Sequence, residues 1–360
     1  MLERIAQWIR PEIRAINAYS IHAATGLIKL DAMENPYTWP ESLRQEWAKR
    51  IESVAVNRYP DPEAIGLKMQ LRQAMQIPDT IELLLGNGSD ELIQIILLTL
   101  GGAERVLLSI EPSFVMYKMM ATWTSTKYVG VPLLSPDFAL NTQAILEAIK
   151  LHNPAVIFLA YPNNPTGNLF ETTAIHEIIQ ATNGLVIIDE AYAPFTDASF
   201  QNAILEYDNL LVLRTLSKMG LAGLRLGFLM GHPQWIRELN KVRMPYNINV
   251  LTQMTAEFAL GNKQLFDHQT QQIRSERERM RQRLITLSNI TAYPSQANFI
   301  LLQVPQASNV FDYIKAQGIL IKNLHNTHSL LTNCLRVTIG TPEENTAFFA
   351  ALERGCQSKL

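Results

Sequence analysis

Cysteine is scarce in this sequence. Its two thiols, Cys334 and Cys356, fall in no metal-ligand spacing and no disulfide framework. They read as reduced thiols of a reducing compartment, with no metal site. Charge of one sign is not in excess either. The 31 Lys and Arg against 33 Asp and Glu leave a net charge of −2, so no overall field favours nucleic acid or an anionic membrane. Polybasic arms, acidic tails and low-complexity tracts are missing. Long apolar runs are missing too. "LIQIILLTLGG" is about half the ~20 residues a membrane span needs. The N-terminal MLERIAQWIRPEIRAINAYS carries charge throughout, unlike the uninterrupted apolar core of a signal peptide. The expectation is a soluble cytoplasmic protein with no nucleic-acid or membrane partner.

What is present is an ordinary globular balance, 47% hydrophobic and 18% charged over 360 residues. That length suits two or three domain-sized units. Four apolar runs, 104–112, 155–165, 185–192 and 209–218, are rich in Val, Ile and Leu without alternation. This is the pattern of strands buried on both faces. Between them "TTAIHEIIQAT" has helical spacing, and "SDELIQIILLTL" (89–100) opens on an N-cap candidate, Ser89, with acids in its first turn. Alternating strands and helices predict an α/β domain with a largely parallel sheet. After about residue 263 a long charged helix (265–287) leads to strand candidates at 298–304, 318–324 and 334–340, a smaller α+β domain. The expected division is an N-terminal arm (1–45) packing on the small domain or a partner subunit, a large domain (46–263) and a small C-terminal domain (264–360).

Four features fall at strand ends of the α/β region, where ligands bind open sheets. Lys218 stands in "RTLSKMGLAGLRLGF" with Thr215, Ser217 and Arg225 nearby. It reads as a core-edge lysine, or as one whose pKa is lowered by burial and cations until it becomes nucleophilic. Asp189 closes the apolar run of "IIDEAY", costly unless paired. It reads as a loop or cap carboxylate, or as the partner of a protonated ring nitrogen, with the Tyr192 phenol beside it. "YPNNPTGN" (161–168) is a tight loop, or a rigid mount for Asn164. "LLLGNGSDELIQ" (83–94) is a strand–turn–helix link, or a phosphate cradle of Gly88, Ser89 and Asp90 at a helix N-terminus. It lacks the Walker lysine and the dinucleotide glycine pattern. One ligand answers all four: it carries a carbonyl, a basic ring nitrogen, a ring hydroxyl and a phosphate, as pyridoxal 5′-phosphate does.

The ordered motifs NGSDE, PNNPTG, DEAY, SK-x5-LR and a late CLR span most of the chain. On them the sequence resembles the fold-type I pyridoxal-phosphate enzymes of the aminotransferase class I/II family. Within that family it is similar to the histidinol-phosphate branch. The match runs from about residue 9 to 345, through "IRPEIRAINAY", "LDAMENPY", "NRYPDP", "GNGSDELI" and "CLRVTIGTPEEN".

The resemblance implies a transaminase of histidine biosynthesis. It would move an amino group between L-histidinol phosphate and 2-oxoglutarate, giving imidazole-acetol phosphate and L-glutamate. An aromatic aminotransferase, a threonine-phosphate decarboxylase and a non-catalytic binding protein are the rivals on this scaffold. It also implies roles. Lys218 would be the Schiff-base lysine and proton carrier, and Asp189 the partner of the pyridine nitrogen. Asn164 and Tyr192 would bind the ring oxygen, and Phe114 would stack on the ring. Tyr59 would reach the phosphate of a neighbouring subunit's cofactor, which makes a homodimer. Arg336 would bind the substrate carboxylate, Tyr19 would lie near the substrate side chain, and Lys322 would contact substrate phosphate. Two departures stand out. Arg225 follows Lys218 by seven positions where many relatives have eight, which predicts a tighter Gly220–Gly223 turn. Lys322 stands where many relatives have arginine, a point charge in place of a planar fork, and its residue-level reading is first a solvated strand-end lysine.

Overall fold

The computed structural model describes residues 1–18 and 25–357. A first short strand, β1 (Ile28–Lys29), belongs to the smaller unit. The main sheet is built from β2 (Glu82–Gly86), β3 (Val106–Glu111), β4 (Lys127–Pro132), β5 (Val156–Ala160), β6 (Leu185–Asp189), β7 (Leu210–Thr215) and β8 (Gly227–Gly231). Their order across it is β2-β8-β7-β6-β5-β3-β4. Every residue of β5 and β6 is buried, as their unbroken apolar sequences require of strands covered on both faces.

The sheet is mixed: β3 to β7 run parallel, and β8 is antiparallel to both β2 and β7. A parallel crossover needs a dozen or more residues and usually a helix. The link between β7 and β8 covers only 216–226, so the chain turns back. That link carries Lys218 and Arg225. The main-sheet strands that sequence periodicity passes over are β4 and β8, while β2 is the strand of the 83–94 strand–turn–helix link. The edge strand β4, KYVGVP, begins on an exposed lysine and contains a glycine, and so lacks the apolar run of a central strand.

The helix Ser89–Leu100 follows β2. Its cap is Gly88 at φ 86°, not Ser89, whose side chain makes no cap bond. Glu91 reaches back instead to the Asn87 N–H at 2.6 Å.

The helix Lys263–Leu284 joins two cores. Its Phe266 lies in the apolar core on one face of the main sheet, whereas Ile273, Met280 and Leu284 lie in a separate core. Around the second core lie β9 (Thr291–Ala292), β10 (Phe299–Gln303), β11 (Ile319–Leu320), β12 (Lys322–Asn323) and β13 (Cys334–Thr338). The order β12-β13-β10-β9 is antiparallel throughout, and β1 pairs in parallel with β11. The single strand expected over 318–324 is therefore split at Ile321, its halves serving two sheets. Leu30 and Met33 join this second core, while Arg10 bonds to Ser125 and the carbonyl of Trp123 in the large unit. Among the described residues no helix is long and apolar enough to cross a membrane.

Candidate active site

The loop after β5 explains how Asn164 is aimed. Its neighbour Asn163 is fully buried and bonds inward, donating to the Pro112 carbonyl at 3.0 Å and to Thr166 Oγ1 at 2.7 Å. Ser113 donates to Asn163 Oδ1 at 2.9 Å, and Thr166 to Asn168 Oδ1 at 2.6 Å. The loop is thus cross-braced by its own polar side chains, and Asn164 is left to face the cavity. There its Oδ1 accepts from Arg336 Nη1 at 2.5 Å, so Nδ2 is the group it can offer a ligand.

Asp189 ends β6 and is buried. Tyr117 donates to its Oδ2 at 2.7 Å and the Ala191 N–H to its Oδ1 at 3.0 Å. Burial raises its pKa to about 6 against the lowering effect of these two donors. Tyr117 has no motif of its own. It is fully buried, stacked on Phe158 with ring centroids 4.7 Å apart and set edge-on to Phe114 at 5.6 Å. Its only sequence signal is its place three residues after Phe114.

Lys218 lies in the short 3-10 turn Ser217–Met219 after β7. Its Nζ donates to the Ala32 carbonyl at 3.3 Å and lies 5.7 Å from the Tyr192 ring centre. Although the side chain keeps some exposure to the cavity, protein atoms surround the amine. Burial first, and then the Arg336 charge, lower its pKa to about 8. Between Lys218 and Arg225 the chain makes a second short turn, Ala222–Leu224, and each of the two turns ends on a left-handed residue, Gly220 at φ 117° and Arg225 at φ 49°.

At the other end of the cavity Arg225 donates to Asp90 at 3.2 Å. Gly88 packs directly on it: a Cβ there would sit 2.7 Å from Arg225 Nη2. Thr215 Oγ1 donates to Ser217 Oγ at 2.9 Å and accepts from the Ser217 N–H at 3.1 Å, which fixes the two hydroxyls relative to each other in the cavity that Arg225 also lines.

One cavity is lined by Ser89, Asp90, Phe114, Asn164, Asp189, Tyr192, Thr215, Ser217, Lys218 and Arg225. Arg336 on β13 adjoins it through Asn164, and Lys322 is the direct cross-strand partner of Arg336. Tyr59 is not in the cavity of its own chain. It is 80% exposed and stacks on Tyr246 with ring centroids 4.4 Å apart. Tyr19 lies outside the described residues. A desolvated amine, a buried carboxylate, an amide with a phenol, and hydroxyls with an arginine at a helix N-terminus form a set that fits pyridoxal phosphate group by group. No metal-binding cluster of His, Cys, Asp or Glu occurs among the described residues.

The family model described as aminotransferase class I and II matches residues 25–352. The chain is 53% identical to histidinol-phosphate aminotransferase 2 of Nitrosococcus oceani, covering 98% of each. It is 50% identical to histidinol-phosphate aminotransferase of Chromobacterium violaceum, covering 97% of this chain and 98% of that one. Among solved structures, the fold is shared with histidinol-phosphate aminotransferase from Sinorhizobium meliloti in complex with pyridoxal-5′-phosphate. That likeness has a TM-score of 0.86 at 21% identity over 98% of both chains. With a family model covering most of its length and near-full-length relatives at about half identity, the chain belongs to the aminotransferase class I and II family.

Proposed function

We propose that this chain is a pyridoxal-phosphate-dependent aminotransferase that exchanges an amino group between L-histidinol phosphate and 2-oxoglutarate in histidine biosynthesis. One observation carries the chemistry: Lys218, Asp189, Asn164, Tyr192 and Arg225 line a single cavity, and Arg336 is bonded to Asn164 beside it. The substrate is suggested by the names of the relatives at 53% and 50% identity.

The bound cofactor supplies an aldehyde for the amine to join and a protonated ring that accepts electrons from the substrate Cα. The protein does the rest. Lys218 Nζ would hold the cofactor through its aldehyde and, as a free amine, would be the base that carries the substrate's Cα proton. A pKa near 8 keeps a useful fraction of the amine unprotonated at neutral pH. Asp189 would keep the proton on the ring nitrogen, Asn164 Nδ2 and the Tyr192 hydroxyl would hold the ring oxygen, and Phe114 would cover the ring face. Gly88, Ser89, Asp90, Thr215, Ser217 and Arg225 form the phosphate end, where the helix Ser89–Leu100 offers its free N–H groups.

Arg336 receives the carboxylate of the amino-acid substrate, L-glutamate, in the other half-reaction. Directly paired residues on antiparallel strands share a face, so Lys322 presents a second positive charge beside Arg336. Like charges so placed are unfavourable alone and favourable around an anion. That supports Lys322 as a contact for substrate phosphate.

The exposed Tyr59, stacked on Tyr246 with exposed Val56 and Met244 in the same chain segments, suits a surface covered by a second copy. The working enzyme is then a cytoplasmic homodimer in which Tyr59 crosses to its partner's cofactor phosphate. The division into arm (1–45), large domain (46–263) and small domain (264–360) belongs to the same reading. Formation of L-glutamate's keto acid partner in reverse, or of L-glutamate from 2-oxoglutarate and L-histidinol phosphate, tests it. No glutamate from that pair of substrates contradicts it.

A further inference from the structure

Met33 holds a backbone conformation its side chain does not favour. Its φ of 54° lies in the left-handed region, where glycine and asparagine fit and other residues are uncommon. The conformation is held from both sides. The Met33 N–H donates to Thr338 Oγ1 at 3.0 Å, and its carbonyl accepts from Asn298 Nδ2 at 2.9 Å. Both partners are buried. The two preceding carbonyls are tied to the site itself: Asp31 accepts from Arg336 Nη2 at 2.9 Å and Ala32 from Lys218 Nζ at 3.3 Å. Strained backbone that its surroundings over-determine clusters where a side chain must be aimed. Here Met33 lines the cavity with Lys218, Asn164 and Tyr192 while packing on the edge of the second core.

The backbone just before Met33 thus joins the amine of Lys218 to Arg336, the residue proposed above to receive glutamate's carboxylate. The polar roles assigned above leave no use for a thioether. A methionine is unbranched, adapts to irregular shapes and packs well on aromatic rings. A side chain ending in a carboxylate, as in glutamate, gains little from such a wall. We infer that Met33 is a specificity-determining residue, the apolar wall against which the ring-bearing side chain of the amine substrate packs. The inference deepens the proposed function and rests on it.

Two variants separate this role from a structural one. Met33→Asn keeps a residue suited to positive φ and removes the apolar wall. Met33→Leu keeps the apolar bulk. Single-turnover kinetics with L-histidinol phosphate and with L-glutamate, together with the thermal midpoint of each apoenzyme, give the readout. Met33→Asn should lower kcat/KM for L-histidinol phosphate by about tenfold to a hundredfold, the scale set by lost apolar pocket contacts. L-glutamate should stay within about twofold, Met33→Leu should stay near wild type, and the Met33→Asn midpoint should not fall. Equal losses for both substrates, or no loss for either, would overturn the assignment. A wild type that ignores L-histidinol phosphate defeats the proposed function alone, and Met33 is then judged on L-phenylalanine against L-glutamate. A wild type that converts no ring-bearing amine overturns both.

Discussion

The hydroxyl of Tyr117 donates to Oδ2 of Asp189 across 2.7 Å, inside a site where both side chains are buried. The bond keeps the carboxylate oriented and opposes burial, which still leaves its pKa raised to about 6. Tyr117→Phe removes it with little change of shape. The pKa of Asp189 should then climb, so the loss of cofactor affinity on the acid side should begin at a higher pH. At neutral pH the affinity should fall by about tenfold, as a bond to a charged acceptor of roughly 1.5 kcal/mol implies. Titration of apoenzyme with pyridoxal phosphate across pH 5 to 9 checks both.

Asp189 should also oppose stability. Its folded pKa of about 6 exceeds the ordinary 3.8, so between those values the folded chain binds more protons than the unfolded one. Stability therefore falls as pH rises through that window, and the full cost is present at neutral pH. Asp189→Asn should abolish turnover yet stabilise the apoenzyme by about 1–3 kcal/mol at pH 7. Denaturant unfolding of both apoproteins at pH 7 and pH 4 tests this, and the gain should shrink at the lower pH.

The lowered pKa of Lys218 has a kinetic counterpart. An amine titrating near 8 attacks an aldehyde only when unprotonated. The rate at which apoenzyme captures pyridoxal phosphate should rise with pH and level off above about 8. Lys218→Ala should show no covalent capture and no turnover, read by absorbance after gel filtration.

Tyr59 permits a mixing experiment. A chain carrying Lys218→Ala and a chain carrying Tyr59→Ala are each defective alone. If Tyr59 serves its partner's site, each hybrid dimer regains one complete site, so random exchange restores up to about one quarter of wild-type activity. If Tyr59 serves its own chain, mixing restores none.

The fold class was legible because β3, β5, β6 and β7 are central strands whose apolar runs announce burial on both faces. Asp189 closes a strand, and Asn164 and Lys218 stand just past one in runs of turn chemistry, which is the local pattern that singled them out; the fold brings all three to one cavity. Other features depend on pairings no local pattern carries. The reversal of β8 follows from the length of its link, and the 318–324 strand divides because β11 and β12 find different partners. Tyr117 meets Asp189 only once β3 and β6 are placed in one sheet, 72 residues apart in sequence. Met33 is set by a φ angle and two buried side chains from β13 and the turn before β10. The Ser89 cap gave way to Gly88 because that position needs positive φ.

The most direct test is a single half-reaction. Purified enzyme loaded with pyridoxal phosphate is mixed with L-histidinol phosphate, without any keto acid, and its spectrum is followed. The account predicts stoichiometric conversion of the cofactor to pyridoxamine phosphate, reversed by adding 2-oxoglutarate. An unchanged spectrum with L-histidinol phosphate, alongside carbon dioxide release from threonine phosphate or a response to phenylalanine alone, would contradict it.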